Sequence, residues 1–478
     1  MTSRRGAALG GLALALLAAL PVLLVAYPQM ADYPAHLARW HVMLNLDASA
    51  DLQRHYRFAW QWTPNLGCDL LVWPLAKLLG LELAGRIVAA LVPALLAGSL
   101  LTVDRALHGR IGVGGLLALV TVWSPSLLMG FLNWSLSLAL AFFAFALWLR
   151  MEGNPARRWL VLAIAPLVWL CHLSGWGVLG VLVFGYEWQR RGFAKAIPAT
   201  WPLWPPAVLS LLSGAGASGA TSWGEGVLLD KLSNWVMALR DQSAQLDLLT
   251  LAVLAGVIVV AWRQGRMDGR VGRASLAFLA LTFVMPRHLG GGDFADYRLV
   301  PVALACGVLA VQWRARRWVV ALAAVPFVLR LLLTSVSWIA GSALTAQMLA
   351  GIERVPRGSI IAGANAEDPF AWHQPATSHV FGWATVRRDA LTNADFAIPG
   401  LHMLSHADGD ARFLDPSQRV LVKAGEAPDL SRYAPAARAD YLWYVGPKEP
   451  MRLPAGAQVA ARGNGWLIAR LAKAPASR

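Results

Sequence analysis

Apolar runs of roughly 17 to 22 residues recur along the chain, the length that carries a helix across a ~30 Å hydrocarbon core at 1.5 Å per residue. The pattern predicts a first span over Ala7–Ala26 and further spans near 83–103, 111–127, 132–149, 159–172, 174–187, 197–213, 247–262, 273–287, 297–313 and 318–340. The fold class expected is thus a membrane all-α, polytopic bundle of about eleven transmembrane helices. From about Ala343 the pattern changes to Pro, Gly, Asn and Asp between short alternating runs. Strands are expected at Ser359–Ala362, His379–Val386, Arg419–Val422, Tyr441–Val445, Gln458–Ala461 and Trp466–Leu471. The last two are split by Gly463-Asn464-Gly465, a hairpin signal. This divides the chain into a transmembrane domain, 1–342, with a long first outer loop, 27–82, and a small C-terminal α/β domain, 343–478.

Polar links between the spans set the orientation. Links 104–110, 150–158, 187–195, 263–273 and 313–317 are rich in arginine and alternate with links that are not. Positive residues stay cytoplasmic, so these links and the N-terminus are expected inside and the C-terminal domain outside. The first span follows Arg4 and Arg5 but shows no small-x-small cleavage site before Tyr27, and reads as an uncleaved anchor. Within the first outer loop, ADYPAHLARWHVMLNL and DLLVWPLAKLLGL have helical patterns too short to span and read as helices at the outer interface.

Composition agrees with this picture. Hydrophobic residues make up 57% and charged residues 14%, against about 25% charged in an ordinary soluble chain. The net charge of +15 lies in short links rather than on one face, so it is a topology signal and no nucleic-acid partner is expected. The arginine-rich, alanine- and leucine-rich usage hints at a GC-rich bacterial genome, hence a bacterial inner (cytoplasmic) membrane. Cys68, Cys171 and Cys306 have neither metal spacing nor an even count for a disulfide framework.

Polar groups are costly in a bilayer, so the ionisable residues other than link arginines mark candidate chemistry. They collect on the outer side: Asp32, His36 and Asp69 in the first loop, His172 at the outer end of the 159–172 span, and His288, Asp293, Asp296 and Arg298 around link 287–296. In Asp32-Tyr33-Pro34-Ala35-His36, Pro34 suits the first turn of a helix and leaves Asp32 at its N-terminus, where backbone N–H groups favour a carboxylate. Residues 32 and 36 are one turn apart. Asp32 therefore reads either as a base beside a donor or as an ordinary N-cap. Arg330 stands alone in PFVLRLLLTSV, roughly 18 Å into its span by helix rise, and reads as a lipid-phosphate ligand or as half of an intramembrane pair. Arg86 and Arg298 are further cations for the same role. Trp60, Trp62, Trp73 and Trp223 could stack on sugars or form the interfacial belt.

An N-terminal span, a first outer loop with Asp32, Pro34, His36 and Arg39, many spans and a terminal outer domain together resemble the GT-C superfamily of bacterial polyprenyl-phosphate-sugar-dependent glycosyltransferases. The likeness extends to Gly130-Phe131-Leu132-Asn133 and Asp296-Tyr297-Arg298. It implies a membrane hexosyl- or pentosyltransferase in which Asp32, with His36, deprotonates an acceptor hydroxyl that attacks the anomeric carbon as lipid phosphate leaves. Arg39, Asp69, His172, His288, Asp293, Asp296, Arg298 and Arg330 are the substrate-binding candidates. The implied partners are a polyprenyl-phosphate-linked sugar, the lipid bilayer, and a glycan, lipid or protein acceptor in the cell envelope. The Asp-Asp or Asp-Glu pair of some relatives is missing beside Asp32, so a divalent cation is a possible cofactor with no ligand set assigned. A transporter or flippase would place ionisable residues at mid-bilayer on broken helices in paired halves. Apart from Arg330 the spans are nearly free of charge and no repeated halves appear, which favours an interfacial enzyme; a non-catalytic envelope-assembly protein is the remaining alternative.

Overall fold

A computed structural model describes residues 4–213, 221–290, 292–374, 376–397, 402–423 and 425–472. The chain is mostly helical and divides into two compact units. The first comprises Met1–Leu24, Trp62–Leu71 and Arg86–Val336; the second comprises Val25–Gln61, Val72–Gly85 and Ser337–Arg478.

In the first unit each expected apolar run is helical, but their lengths differ. Among the described residues four helices are long and apolar enough to cross a membrane: Leu81–His108, Leu132–Arg150, Ala244–Arg263 and Arg317–Ile352. The run expected over 111–127 is broken into Val113–Ala118, a 3-10 turn at Leu119–Thr121, and Pro125–Leu128. Gly114 and Gly115 allow that segment to lie against its neighbours: a Cβ on Gly114 would sit 2.2 Å from the Val308 carbonyl oxygen, and one on Gly115 2.5 Å from the Asp104 carboxylate. The 197–213 run is interrupted for a plainer reason, since Pro198, Pro202, Pro205 and Pro206 cannot all donate to a helix ladder. It forms Phe193–Ala199, Trp201–Leu203 and Pro205–Leu212. Part of the expected outer link 214–246 lies outside the described residues. The 297–313 run is an 11-residue helix, Leu299–Leu309, buried along its whole length. The helix containing Arg330 continues to Ile352, past the compositional change near Ala343.

The second unit contains the strands. β1 (Tyr56–Phe58) belongs to the first outer loop; β2 (Ile360–Glu367), β3 (Leu391–Thr392), β4 (Leu404–His406), β5 (Arg419–Leu421), β6 (Tyr441–Val445), β7 (Gln458–Gly463) and β8 (Trp466–Arg470) follow. β2 lies at the centre of the larger sheet. It runs parallel to β6 from Ile361↔Tyr441 to Asn365↔Val445, to β3 at its start and to β5 at its end. β8 adds antiparallel to β6, and β7 pairs with β8 across the Gly463–Gly465 turn. The six inner residues of β2 are all buried, as a strand flanked by parallel neighbours requires. β1 pairs antiparallel with β4, so the first outer loop supplies part of the core: Val42, Leu52 and Tyr56 pack with Ala362, Leu404, Phe413, Leu442 and Leu467.

One strand expectation fails. His379–Val386 is a turn followed by the helix Gly382–Arg388. Gly382 explains why: a Cβ there would lie 2.6 Å from the Pro34 carbonyl oxygen, so this residue brings the helix directly against the backbone of Tyr33–Asn45.

Candidate active site

Asp32 holds the N-cap position of Tyr33–Asn45, with proline in the first turn. Nine residues of this helix are buried, from Tyr33 to Trp40 together with Val42, so its register is fixed by packing on several sides. Asp32 does not use its side chain as a cap. Its Oδ1 instead lies 3.6 Å from Nε2 of His379, and Oδ1 of Asp415 lies 4.0 Å from the same nitrogen.

His379 is 2% exposed, and its Nδ1 is 2.7 Å from the Ala394 carbonyl. A carbonyl only accepts, so Nδ1 carries the proton and Nε2 is the nitrogen turned to the two carboxylates. The Phe396 ring completes the cluster, with centroids 5.1 Å from His379, 5.2 Å from His36 and 5.5 Å from His402. His36 is also stacked on Trp40 one turn along its helix, at 5.6 Å. Arg39 is buried, and its charge reaches His402. Burial, Arg39 and His379 together push the His402 imidazole down to about 4, against the opposing pull of Asp415, so His402 is neutral at pH 7.

His379 and Phe396 lie in the segments that leave the carboxyl ends of β2 and β3. In sheets of parallel strands, that end is where ligand crevices form. Thus the second unit brings together Asp32, His36 and Arg39 from the first outer loop and His379, His402 and Asp415 from the terminal region. Among the described residues no set of three or more His, Cys, Asp and Glu is arranged to hold a metal ion. No step is assigned to a divalent cation.

The other expected residues are placed in the first unit. Asp69 is buried in the first turn of Gly67–Leu79. His172 caps Leu173–Arg191, its Nδ1 accepting from the Ser174 N–H at 3.1 Å, while its Nε2 is 3.1 Å from Arg298 Nη1. Arg298 also stands 4.2 Å over the Phe131 ring. It lines a narrow cleft otherwise formed mainly by apolar side chains, among them Leu96, Leu100, Trp134, Leu138 and Phe142.

Asp296 is a structural tie. Its Oδ2 accepts from Lys231 Nζ at 2.5 Å and from Asn234 at 3.0 Å, and both charged partners are 2% exposed. His288 and Asp293 pair at 3.2 Å and are half exposed. Arg330 is not an isolated charge: it is hydrogen-bonded to Asp247, 3.9 Å from Asp241 and 3.5 Å from the Trp123 carbonyl. All three charged side chains are buried. The sequence expectation for Arg330 rested on its isolation in an apolar run; in the structure it has two acidic partners. Trp223 donates to the Val284 carbonyl; Trp73, in the second unit, receives Lys77 over its ring.

His379, His402 and Asp415 had no sequence signal of their own. They lie in irregular segments, at no helical or alternating spacing, and only the fold unites them with Asp32. The signal that was available is the chemistry of one segment, Thr377-Ser378-His379, where polar residues follow the parallel strand β2.

No family model and no curated protein matches the chain. Among solved structures, the crystal structure of ArnT from Cupriavidus metallidurans bound to undecaprenyl phosphate is similar over 98% of both chains, with a TM-score of 0.54 and 13% sequence identity. The likeness is one of fold, and it spans the apolar helices and the terminal strands alike. The chain therefore shares the overall fold of that structure.

Proposed function

We propose, from a fold shared with a protein that binds undecaprenyl phosphate, that this chain is a membrane glycosyltransferase that moves a sugar from a polyprenyl-phosphate donor to an envelope acceptor on the outer side of the membrane. The observation that carries the chemistry is Asp32. It sits where an N-cap belongs, yet its carboxylate is turned away from capping toward His379. A carboxylate so held, 16% exposed, can accept a proton from a hydroxyl placed within hydrogen-bond reach. The hydroxyl oxygen then bonds to the anomeric carbon while the bond to the lipid phosphate oxygen breaks and the phosphate leaves with the electron pair.

Departing phosphate needs positive charge. Arg39, on the helix that begins after Asp32, is the cation assigned to it, and Arg298 remains a substrate-binding candidate by itself. Residues 1–342 are read as the membrane part and 343–478 as extracytoplasmic, with the N-terminus in the cytoplasm. Asp69, His288 and Asp293 remain substrate-binding candidates from the sequence resemblance, whereas Asp296 and Arg330 are assigned to support the fold.

The test is sugar release from polyprenyl phosphate by purified protein. Asp32→Asn keeps shape and removes charge, and loss of a general base costs about 10² to 10⁴ in rate. Near-normal turnover by this variant would remove Asp32 from the chemistry.

A further inference from the structure

We propose that His379 acts through Asp32: its Nε2 takes up the proton that the carboxylate removes, and the imidazolium so formed pairs with the ionised carboxylate. The assignment rests on the transferase reading above for its chemistry, and on geometry for the pair itself.

Three observations support it. The imidazole is buried and cannot rotate freely, because Nδ1 is tied to the Ala394 carbonyl at 2.7 Å and the ring lies against Phe396. That tie fixes the tautomer in which Nε2 offers its lone pair. This nitrogen faces two carboxylates, Asp32 at 3.6 Å and Asp415 at 4.0 Å. An imidazole between two carboxylates is stabilised once protonated, so a proton delivered to Asp32 has a place to go without leaving the site. The balance is simple. The acceptor hydroxyl gives its proton to an Asp32 oxygen, and the oxygen's electron pair forms the new bond to the anomeric carbon. The old carbon–oxygen bond breaks with its electrons on the lipid phosphate, and the proton moves from Asp32 to Nε2, leaving Asp32 ionised beside an imidazolium.

Other charged and titratable groups bear on this nitrogen. His402 comes from the segment after β3 and Asp415 from the segment after β4, Asp395 lies beside Phe396, and Arg39 and His36 lie on the helix that follows Asp32. Arg39 opposes protonation of the His402 imidazole and Asp415 favours it. Asp32 is the carboxylate nearest His379, so removing its charge has the largest expected effect.

The experiment follows the His379 imidazole resonance against pH in the full-length protein labelled at histidine. The resonance is identified by its absence in His379→Gln, or in His379→Asn should the first variant not fold. In Asp32→Asn the midpoint should fall by about one pH unit or more, because an opposite charge within ~4–6 Å shifts a titration by about that amount. In Asp415→Asn it should fall by less. Turnover supplies the second readout. His379→Gln should lower kcat about tenfold or more when Asp32 is present, and reshape the acidic limb of the pH profile. It should cost less than about twofold when Asp32 is already Asn, since groups acting as a unit are not additive. An unchanged His379 midpoint in Asp32→Asn would overturn the pair, as would equal losses from His379→Gln in both backgrounds. A coupled titration in a protein that transfers no sugar from polyprenyl phosphate would leave the pair standing and overturn the transferase reading instead.

Discussion

Arg330 illustrates how a charge reads differently in sequence and in space. Removing one member of a buried ion group leaves the others uncompensated, at a cost of about 3–5 kcal/mol. Arg330→Leu is therefore expected to lower the melting temperature of the detergent-solubilised protein sharply, and adding Asp247→Asn should recover part of it. A phosphate-binding arginine would instead lose donor affinity in a fully folded protein. Asp389, in the second unit, is a counterpart. Burial would raise its carboxyl, but hydrogen bonds from His41, Ser49 and Arg357 outweigh burial and hold it well below the usual range. A depressed folded value means that the stabilisation is complete above the unfolded value, about 4, and is lost as pH falls through the folded one. Melts recorded between pH 7 and pH 2 should show this decline, and Asp389→Asn should be less stable at pH 7 with a flatter acid dependence.

At the scale of elements, the helix that carries Asp32 was legible because Pro34 marks its first turn and apolar residues surround it; the structure begins it at Tyr33. β6 and the terminal hairpin were legible for a similar reason, as alternating runs around a Gly-Asn-Gly turn. The helix Gly382–Arg388 was not, because the apolar Val380, Phe381, Trp383 and Ala384 read equally well as a strand, and what decides is a contact with Pro34 almost 350 residues earlier in the chain. The same distance hid the partners of Asp32, and the acids facing Arg330 were hidden by 83 residues of separation from Asp247. Gly382 gives a direct test. A methyl group there meets backbone, which cannot swing aside, so Gly382→Ala should cost about 1–3 kcal/mol. It should also cut turnover about tenfold or more by displacing the start of the Asp32 helix while leaving Asp32 itself unchanged. Equal kcat and melting temperature in the two proteins would show that the contact tolerates the added carbon.

For the whole molecule, the arginine-rich links make orientation a prediction of its own. Alkaline phosphatase fused after the last residue should be active, and fused at Arg191 inactive; the reverse pattern would invert the assignment of sides. The sequence placed a boundary near Ala343, whereas Val25–Gln61 and Val72–Gly85 pack with Ser337–Arg478. Local patterning cannot disclose such a grouping, because each segment is apolar and helical or stranded on its own terms.

That grouping has a consequence for biogenesis. During synthesis Tyr33–Asn45 and β1 are made long before β4, the strand that pairs with β1, and before most of the larger sheet. About 290 residues separate Asn45 from Ser337, which at about 5–20 residues per second is a delay of roughly 15 to 60 seconds. Throughout that interval a largely apolar helix and an unpaired strand edge lack their partners, a state open to proteases and to wrong pairing. The chain must therefore be finished before its opening loop can settle. A ribosome stalled anywhere upstream of β4 should leave a nascent protein that is inserted yet clipped within residues 25–61, whereas the completed one resists.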